Sequence, residues 1–290
     1  MKFPIYFSKK IAFSKDNKNN LSRVIVFIGR LSVALGIIVS LVTVSTGLGS
    51  KKAIKNRMAD FVGHISVKST KSNSSYNSSV LHKEGLNVKG IQNLSDVSNT
   101  QSYATVSGIL RTEENFAGVI LKGVAKDFDA ERFQSFMVAG EVPKFTEEGY
   151  NNQVILSDKI ANDLHLKPKD SIVAIFSKED QQPIYRKFEI SGIYKTDIKM
   201  IDDLFIIGDI NHVRKIQDMA KTEVGGIDIF LKDSDDIDAV YPKIEKLIGY
   251  KNYAEKATDK YPQIVDWINI FDTNIGLIIT IMLIVVVINI

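Results

Sequence analysis

The chain of 290 residues contains no cysteine. That excludes a disulfide framework, a Cys-ligated zinc and a Cys nucleophile, while saying little about compartment. Histidine is scarce, with four residues at 64, 82, 165 and 212, none at metal-ligand spacing from another. Structural or solvent roles are expected for all of them, and no metal site is assigned. The sequence has neither the Gly-x-Ser-x-Gly nucleophile turn nor the Gly-x-x-x-x-Gly-Lys-Ser/Thr loop that cradles phosphates, so a nucleotide would have to be held by another chain. Carboxylates occur as neighbours, Glu113 with Glu114, Glu147 with Glu148, Asp202 with Asp203 and Asp235 with Asp236. Adjacent residues in regular structure point to different faces, so these pairs suit turns and helix starts better than acid-base work. No catalytic or cofactor-binding residue is assigned, and the chain reads as a non-enzyme. A strong charge of one sign is also missing: the net charge is +3, and the middle of the chain lacks the Lys and Arg cluster that a nucleic-acid partner would require.

Charge disappears altogether from residues 31–48, LSVALGIIVSLVTVSTGL, and from 276–290, GLIITIMLIVVVINI. The first run, extended by the apolar stretch 24–29, meets the roughly 20 residues of a spanning helix. It predicts a transmembrane helix over 23–48, since a signal peptide has a shorter apolar core and a small-residue cleavage site. The second run is the start of a further transmembrane helix, 272–290, with no closing polar flank, in a chain expected to continue. Before the first run stand Lys2, Lys9, Lys10, Lys15, Lys18, Arg23 and Arg30; after it stand only Lys51, Lys52, Lys55 and Arg57. The bias favours a cytoplasmic amino terminus. Residues 1–22 carry Phe3, Ile5, Phe7, Ile11 and Phe13 among lysines, a cytoplasmic amphipathic segment that either lies on membrane lipid or forms a partly ordered tail. Trp267, just ahead of the second run, suits a membrane-interface anchor.

The region between, residues 49–268, reads as an extracytoplasmic α+β domain. Residues 61–67 alternate apolar and polar as a half-buried strand does, and 71–79 form a Ser- and Asn-rich loop. A short helix is expected over 88–94 and strands over 101–110 and 116–124. Residues 154–156 lead as a strand into a helix capped by Ser157, with Ile160, Ala161 and Leu164 on its apolar face. Residues 172–176 and 185–194 read as a β-hairpin with a polar tip. A strand at 204–207 precedes a helix over 210–220 that Asp209 can cap, and a strand at 227–231 precedes a helix over 235–247. Interleaved strands and helices predict helix-on-sheet packing, with a β-rich lobe inserted at about 150–202.

In this order, the span ending at Ser45, Thr46, Gly47 and Leu48, then Gly63-His64-Ile65-Ser66-Val67, Leu121-Lys122-Gly123-Val124, Val154-Ile155-Leu156-Ser157, Phe188-Glu189-Ile190-Ser191-Gly192-Ile193-Tyr194 and Asp266-Trp267, the chain resembles the permease of LolC/LolE-type lipoprotein-releasing ABC transporters, within the MacB/FtsX-like superfamily. The resemblance implies a multi-pass subunit of the bacterial inner membrane with its large domain in the periplasm. It implies a separate cytoplasmic ATPase carrying ATP and Mg, a second permease subunit in a homo- or heterodimer, a lipoprotein substrate and a periplasmic carrier. Under it, Val33, Ile37, Leu41 and Val44, spaced at three and four, are candidates for the substrate-facing side of the span; a lipid-facing or helix-packing stripe has the same spacing. The hairpin tip, with Lys178, Gln181, Gln182 and Pro183, corresponds to the family's carrier-recruiting hook and is shorter and more polar than the family's loop. Two relatives of the same architecture stay open: a MacB-like efflux permease that docks a periplasmic adaptor, and an FtsX-like signalling subunit, whose external domain is usually much smaller.

Overall fold

Helix α1 (Leu21–Val62) runs 42 residues with no proline to break it. A computed structural model of the chain describes it and, in all, residues 3, 6–7, 21–72, 76–82, 84–146, 149–177 and 182–289. The amphipathic segment predicted over 1–22 falls mostly outside those residues, as does 178–181 of the hairpin tip. The chain divides into two units, one of Met1–Ala53 with Gln263–Ile290 and one of Ile54–Pro262.

The first unit is helical. Two helices are long and apolar enough to cross a membrane, over Val24–Val62 and Ile264–Ile288, each with a mean hydropathy of 2.4. Within this unit, Gly47 sits against Ile275: a Cβ there would come 2.6 Å from the Ile275 Cδ1, so a larger residue would make that side chain shift. Lys51 pairs with Asp272 at 2.5 Å.

The second unit is built on strands β1 (Ile65–Ser69), β2 (Val97–Arg111), β3 (Phe116–Val124), β4 (Met137–Gly140), β5 (Gln153–Ser157), β6 (Ser171–Phe176), β7 (Ile184–Tyr194), β8 (Phe205–Asp209), β9 (Gly226–Leu231) and β10 (Asn252–Lys256). Between them lie the helices α2 (Val88–Gln92), α3 (Ala130–Gln134), α4 (Asp158–Asp163), α5 (Lys199–Asp202), α6 (Ile210–Ile216), α7 (Ile237–Glu245) and α8 (Ala257–Lys260), and α9 (Pro262–Asn289) follows into the first unit. The strands form one sheet in the order β10-β1-β9-β2-β3-β8-β5-β7-β4, with β6 bridging β2 and β7. The long β2 serves both halves: it pairs with β9 through residues 97–103 and with β3 and β6 further on. Most ladders are antiparallel, but β3 runs parallel to β8 and β5 to β7, and the connection from β5 to β7 contains a helix, as crossovers between parallel strands usually do.

Two apolar clusters fill the layers. Leu110, Leu121, Leu156, Phe176 and Ile206 meet Ile160 of α4 and Val213 of α6. On the other half Ile65, Val67 and Ile229 meet Ile91 of α2 and Val240 and Ile244 of α7. The helix-on-sheet packing follows from the sequence periodicity. Ser157 accepts from the Ile160 amide and Asp209 from the Asn211 amide, so both predicted caps are made. The hairpin forms with Ile172 opposite Phe188. The strand predicted from residue 61 begins only at Ile65, because Phe61 and Val62 are the last turn of α1. The helix expected over 210–220 stops at Ile216, and the one over 235–247 opens with a 3-10 turn at Ser234–Asp236.

Candidate functional site at the junction of helix and sheet

The second unit buries four polar side chains, His64, Ser66, Lys122 and Asp228, where α1 ends. Four side chains of the last two turns, Met58, Ala59, Phe61 and Val62, are buried. The Phe61 ring stacks on Tyr194 at 5.5 Å and meets Phe205 edge-on at 5.9 Å. Burying an aromatic side chain of this kind stabilises by roughly 1.5–3 kcal/mol, so the helix end is held by packing first.

Helix ends leave carbonyl groups without intrahelical partners. Here one of them is met by a lysine: Lys122 Nζ, from the middle of β3, donates to the Phe61 carbonyl oxygen at 3.1 Å and to Asp228 Oδ2 at 2.7 Å. Asp228, on β9, accepts from Ser66 Oγ at 2.5 Å. All three side chains are buried, and the Lys122 ammonium also faces the rings of Phe61 and Tyr103. A cation at the negative end of the helix is favourable, and the carboxylate behind it compensates for its removal from water. The chain then turns at Gly63, which has φ +81° and lies so close to β9 that a Cβ would meet Asp228 Cβ at 2.9 Å. This is the left-handed exit that glycine supplies after a helix.

His64 continues the turn. Its Nδ1 accepts from the Leu231 amide at 3.2 Å, so the proton of the neutral ring sits on Nε2. Burial, reinforced by the nearby Arg132 charge, lowers the His64 pKa to about 4. Its carbonyl oxygen accepts from the Ala257 amide, which brings the outgoing end of the domain to the incoming one. β1 and β10 then pair antiparallel with Ile65 opposite Lys256. A cleft of about 330 Å³ opens beside this junction, lined among others by Lys55, His64, Asp235, Asp238, Lys256 and Asp259. On the other side, Arg57 reaches the backbone oxygens of Lys195 and Thr196, in the turn between β7 and α5.

The arrangement joins one helix end to side chains of β1, β3, β7, β8 and β9. No group of three or more metal-ligating side chains occurs among the described residues. Of the residues singled out from sequence, Val33, Ile37, Leu41 and Val44 lie on α1, with Ile37 and Leu41 exposed and Val33 and Val44 half-buried. Gln182 and Pro183 are exposed just ahead of β7, whereas Lys178 and Gln181 lie outside the described residues. Trp267 is on α9, its side chain likewise outside them. Sequence reasoning missed Arg57, Lys122 and Asp228. The one signal was a lysine in the otherwise apolar strand FAGVILKGV.

An α+β domain set in the chain between two helices of membrane length, with its two ends on neighbouring strands, is the arrangement of a permease periplasmic domain. The chain belongs to the MacB-like periplasmic core domain family, whose profile matches residues 30–247. It is similar to the lipoprotein-releasing system transmembrane protein LolC of Buchnera aphidicola subsp. Schizaphis graminum (strain Sg), 21% identical over 222 residues. That match covers 74% of this chain and 52% of LolC, so the chain spans about half the length of this curated relative. Among solved structures it is similar to the extracellular domain of the ABC-type transporter YknZ from Gram-positive bacteria, at 15% identity and a TM-score of 0.44 over 66% of this chain and 99% of that one. It is also similar to the periplasmic region of MacB from Actinobacillus actinomycetemcomitans, at 15% identity and a TM-score of 0.45 over 70% and 92%.

Proposed function

We propose that the chain is the amino-terminal part of an ABC transporter permease that extracts lipoproteins from the outer leaflet of the inner membrane. The ATP and Mg belong to a separate cytoplasmic ATPase, and a second permease subunit completes the complex. The observation that carries the reading is the LolC similarity, which runs over 222 residues, 74% of this chain. Physical chemistry supports it. Pulling an acyl anchor into water costs about 0.8 kcal/mol per methylene, so the task needs an outside energy source and an apolar shelter. In this reading Val33, Ile37, Leu41 and Val44 face the acyl chains, Trp267 anchors the second span at the interface, and the tip with Lys178, Gln181, Gln182 and Pro183 meets a soluble partner.

The tight tie between α1 and the sheet gives the mechanism its lever. Phe61 is fixed to β3 by Lys122 and Arg57 to the turn after β7, so a displacement of the helix end moves the sheet without loosening a flexible joint. A second reading, a MacB-like efflux permease with a periplasmic adaptor, draws on the family profile itself.

Purification of the protein from its native membranes in mild detergent, with mass spectrometry of whatever accompanies it, separates the two. An ATPase with acylated lipoproteins supports lipoprotein release. An ATPase with a periplasmic adaptor moves the assignment to efflux, and the absence of any ATPase sinks the transporter reading.

A further inference from the structure

A second polar site on the same unit lies beside the tie between helix and sheet and shares the Tyr103 ring with it. It is a small cavity of about 60 Å³ lined among others by Lys68, Tyr76, Ser78, Tyr103, Lys260 and Tyr261. A void needs roughly 10–15 Å³ of such space to admit one water, so this one has room for water or for a small oxyanion.

Three observations give it a charge preference. First, the Tyr261 side chain is almost fully buried, and its Oη has no hydrogen-bond partner among the described residues. A buried hydroxyl without a partner is costly, and this one belongs to a residue that lines the cavity. Second, the Lys260 ammonium faces the Tyr261 ring at 5.1 Å and the Tyr103 ring at 5.8 Å, with no carboxylate paired to it among the described residues. Third, Lys68 holds Glu255 at 2.7 Å, and burial followed by the Lys260 charge lowers its pKa. Two lysines therefore line one small cavity, and the one carboxylate paired with either among the described residues is Glu255, on Lys68. An anion would relieve that imbalance and give the Tyr261 hydroxyl an acceptor.

We propose that this cavity binds a phosphate-type oxyanion, with Lys260 and Lys68 supplying positive charge and Tyr261 Oη donating a hydrogen bond. Tyr261 directly precedes Pro262, where α9 opens. The same chemistry is offered by free phosphate and by the phosphodiester of a lipid head group.

The test is calorimetric titration of the full chain in phosphate-free mild detergent. The probes are sodium phosphate, sodium chloride at matched ionic strength, and dihexanoyl phosphatidylglycerol below its micellar concentration. Phosphate is expected to bind and chloride not. Lys260→Gln and Tyr261→Phe are each expected to weaken phosphate about tenfold or more, as loss of one charge-assisted contact implies. Without phosphate, Tyr261→Phe should unfold at the same temperature as the parent or slightly higher, because it removes an unpartnered hydroxyl. Short-chain lipid that binds and is displaced by phosphate assigns the site to a head group; phosphate alone assigns it to the free ion. Equal heats for phosphate and chloride, or unchanged phosphate affinity in Lys260→Gln, overturn the proposal.

Discussion

Arg57 and Thr196 are 139 positions apart in the chain, and the Arg57 guanidinium donates to the Thr196 carbonyl oxygen at 2.6 Å. The same guanidinium reaches the Lys195 oxygen at 3.1 Å and the Asp197 carboxylate at 3.2 Å, and lies over the Phe136 ring. A planar fork with donors on three sides is needed to do all of this at once.

Lys at position 57 keeps the charge and loses the fork. Arg57→Lys should therefore lower the stability of the full chain in detergent by about 1–2 kcal/mol, read as a fall in the thermal midpoint. An unchanged midpoint would mean that the strap contributes nothing.

Removing one member of the Lys122–Asp228 pair leaves the other buried without its partner. Lys122→Met is expected to destabilise by about 3–5 kcal/mol, and Lys122→Met with Asp228→Leu to recover most of that loss. Denaturant midpoints of the two single variants and the double variant give the coupling directly. Additive losses would show that the pair is not coupled.

His64 makes stability depend on pH in a definite direction. Its folded pKa, near 4, lies below the ordinary 6.5, so the unfolded chain takes up the proton first. The neutral ring's contribution is complete above about pH 6.5 and is lost as pH falls toward 4, amounting to about 2–3 kcal/mol by pH 4.5. In His64→Asn the side-chain oxygen can still accept from Leu231 and does not titrate. The parent should therefore lose that much more stability than the variant between pH 7.5 and 4.5 in matched urea titrations, and parallel losses would count against the account.

Gly63 allows the helix to end against β9. Gly63→Ala meets both the positive φ and a backbone amide, that of Ile229, 3.2 Å from the new Cβ. A loss of more than about 1 kcal/mol is expected, with faster hydrogen exchange at the amides of residues 63–65 as its local signature.

The sequence shows the elements that carry their own signals and hides those made by distant partners. Ser157 and Asp209 announce their helices because a cap acts within three residues. Residues 172–176 and 185–194 announce a hairpin because both strands alternate around one polar tip. Phe61 and Val62 mislead, since with Ile65 and Val67 they alternate well enough to extend a strand; Gly63, at the helix exit, marks the true break. β4 (MVAG) and β10 (NYAEK) are short and pattern-poor edge strands that exist through pairing with β7 and β1. Lys122 is the one charged residue in an otherwise apolar strand, and its partner stands 106 positions away. No local rule links the two, so the junction was invisible until the fold brought β3, β9 and the end of α1 together.

The pairing of β1 with β10 has a consequence for how such a protein can change over time. A domain whose first and last strands lie side by side, Ile65 facing Lys256, leaves its two ends about 5 Å apart. The flanking chain has almost no gap to bridge. Such a piece behaves as a cassette: it can be exchanged, enlarged or removed as a single genetic event, while the helices on either side keep their connection.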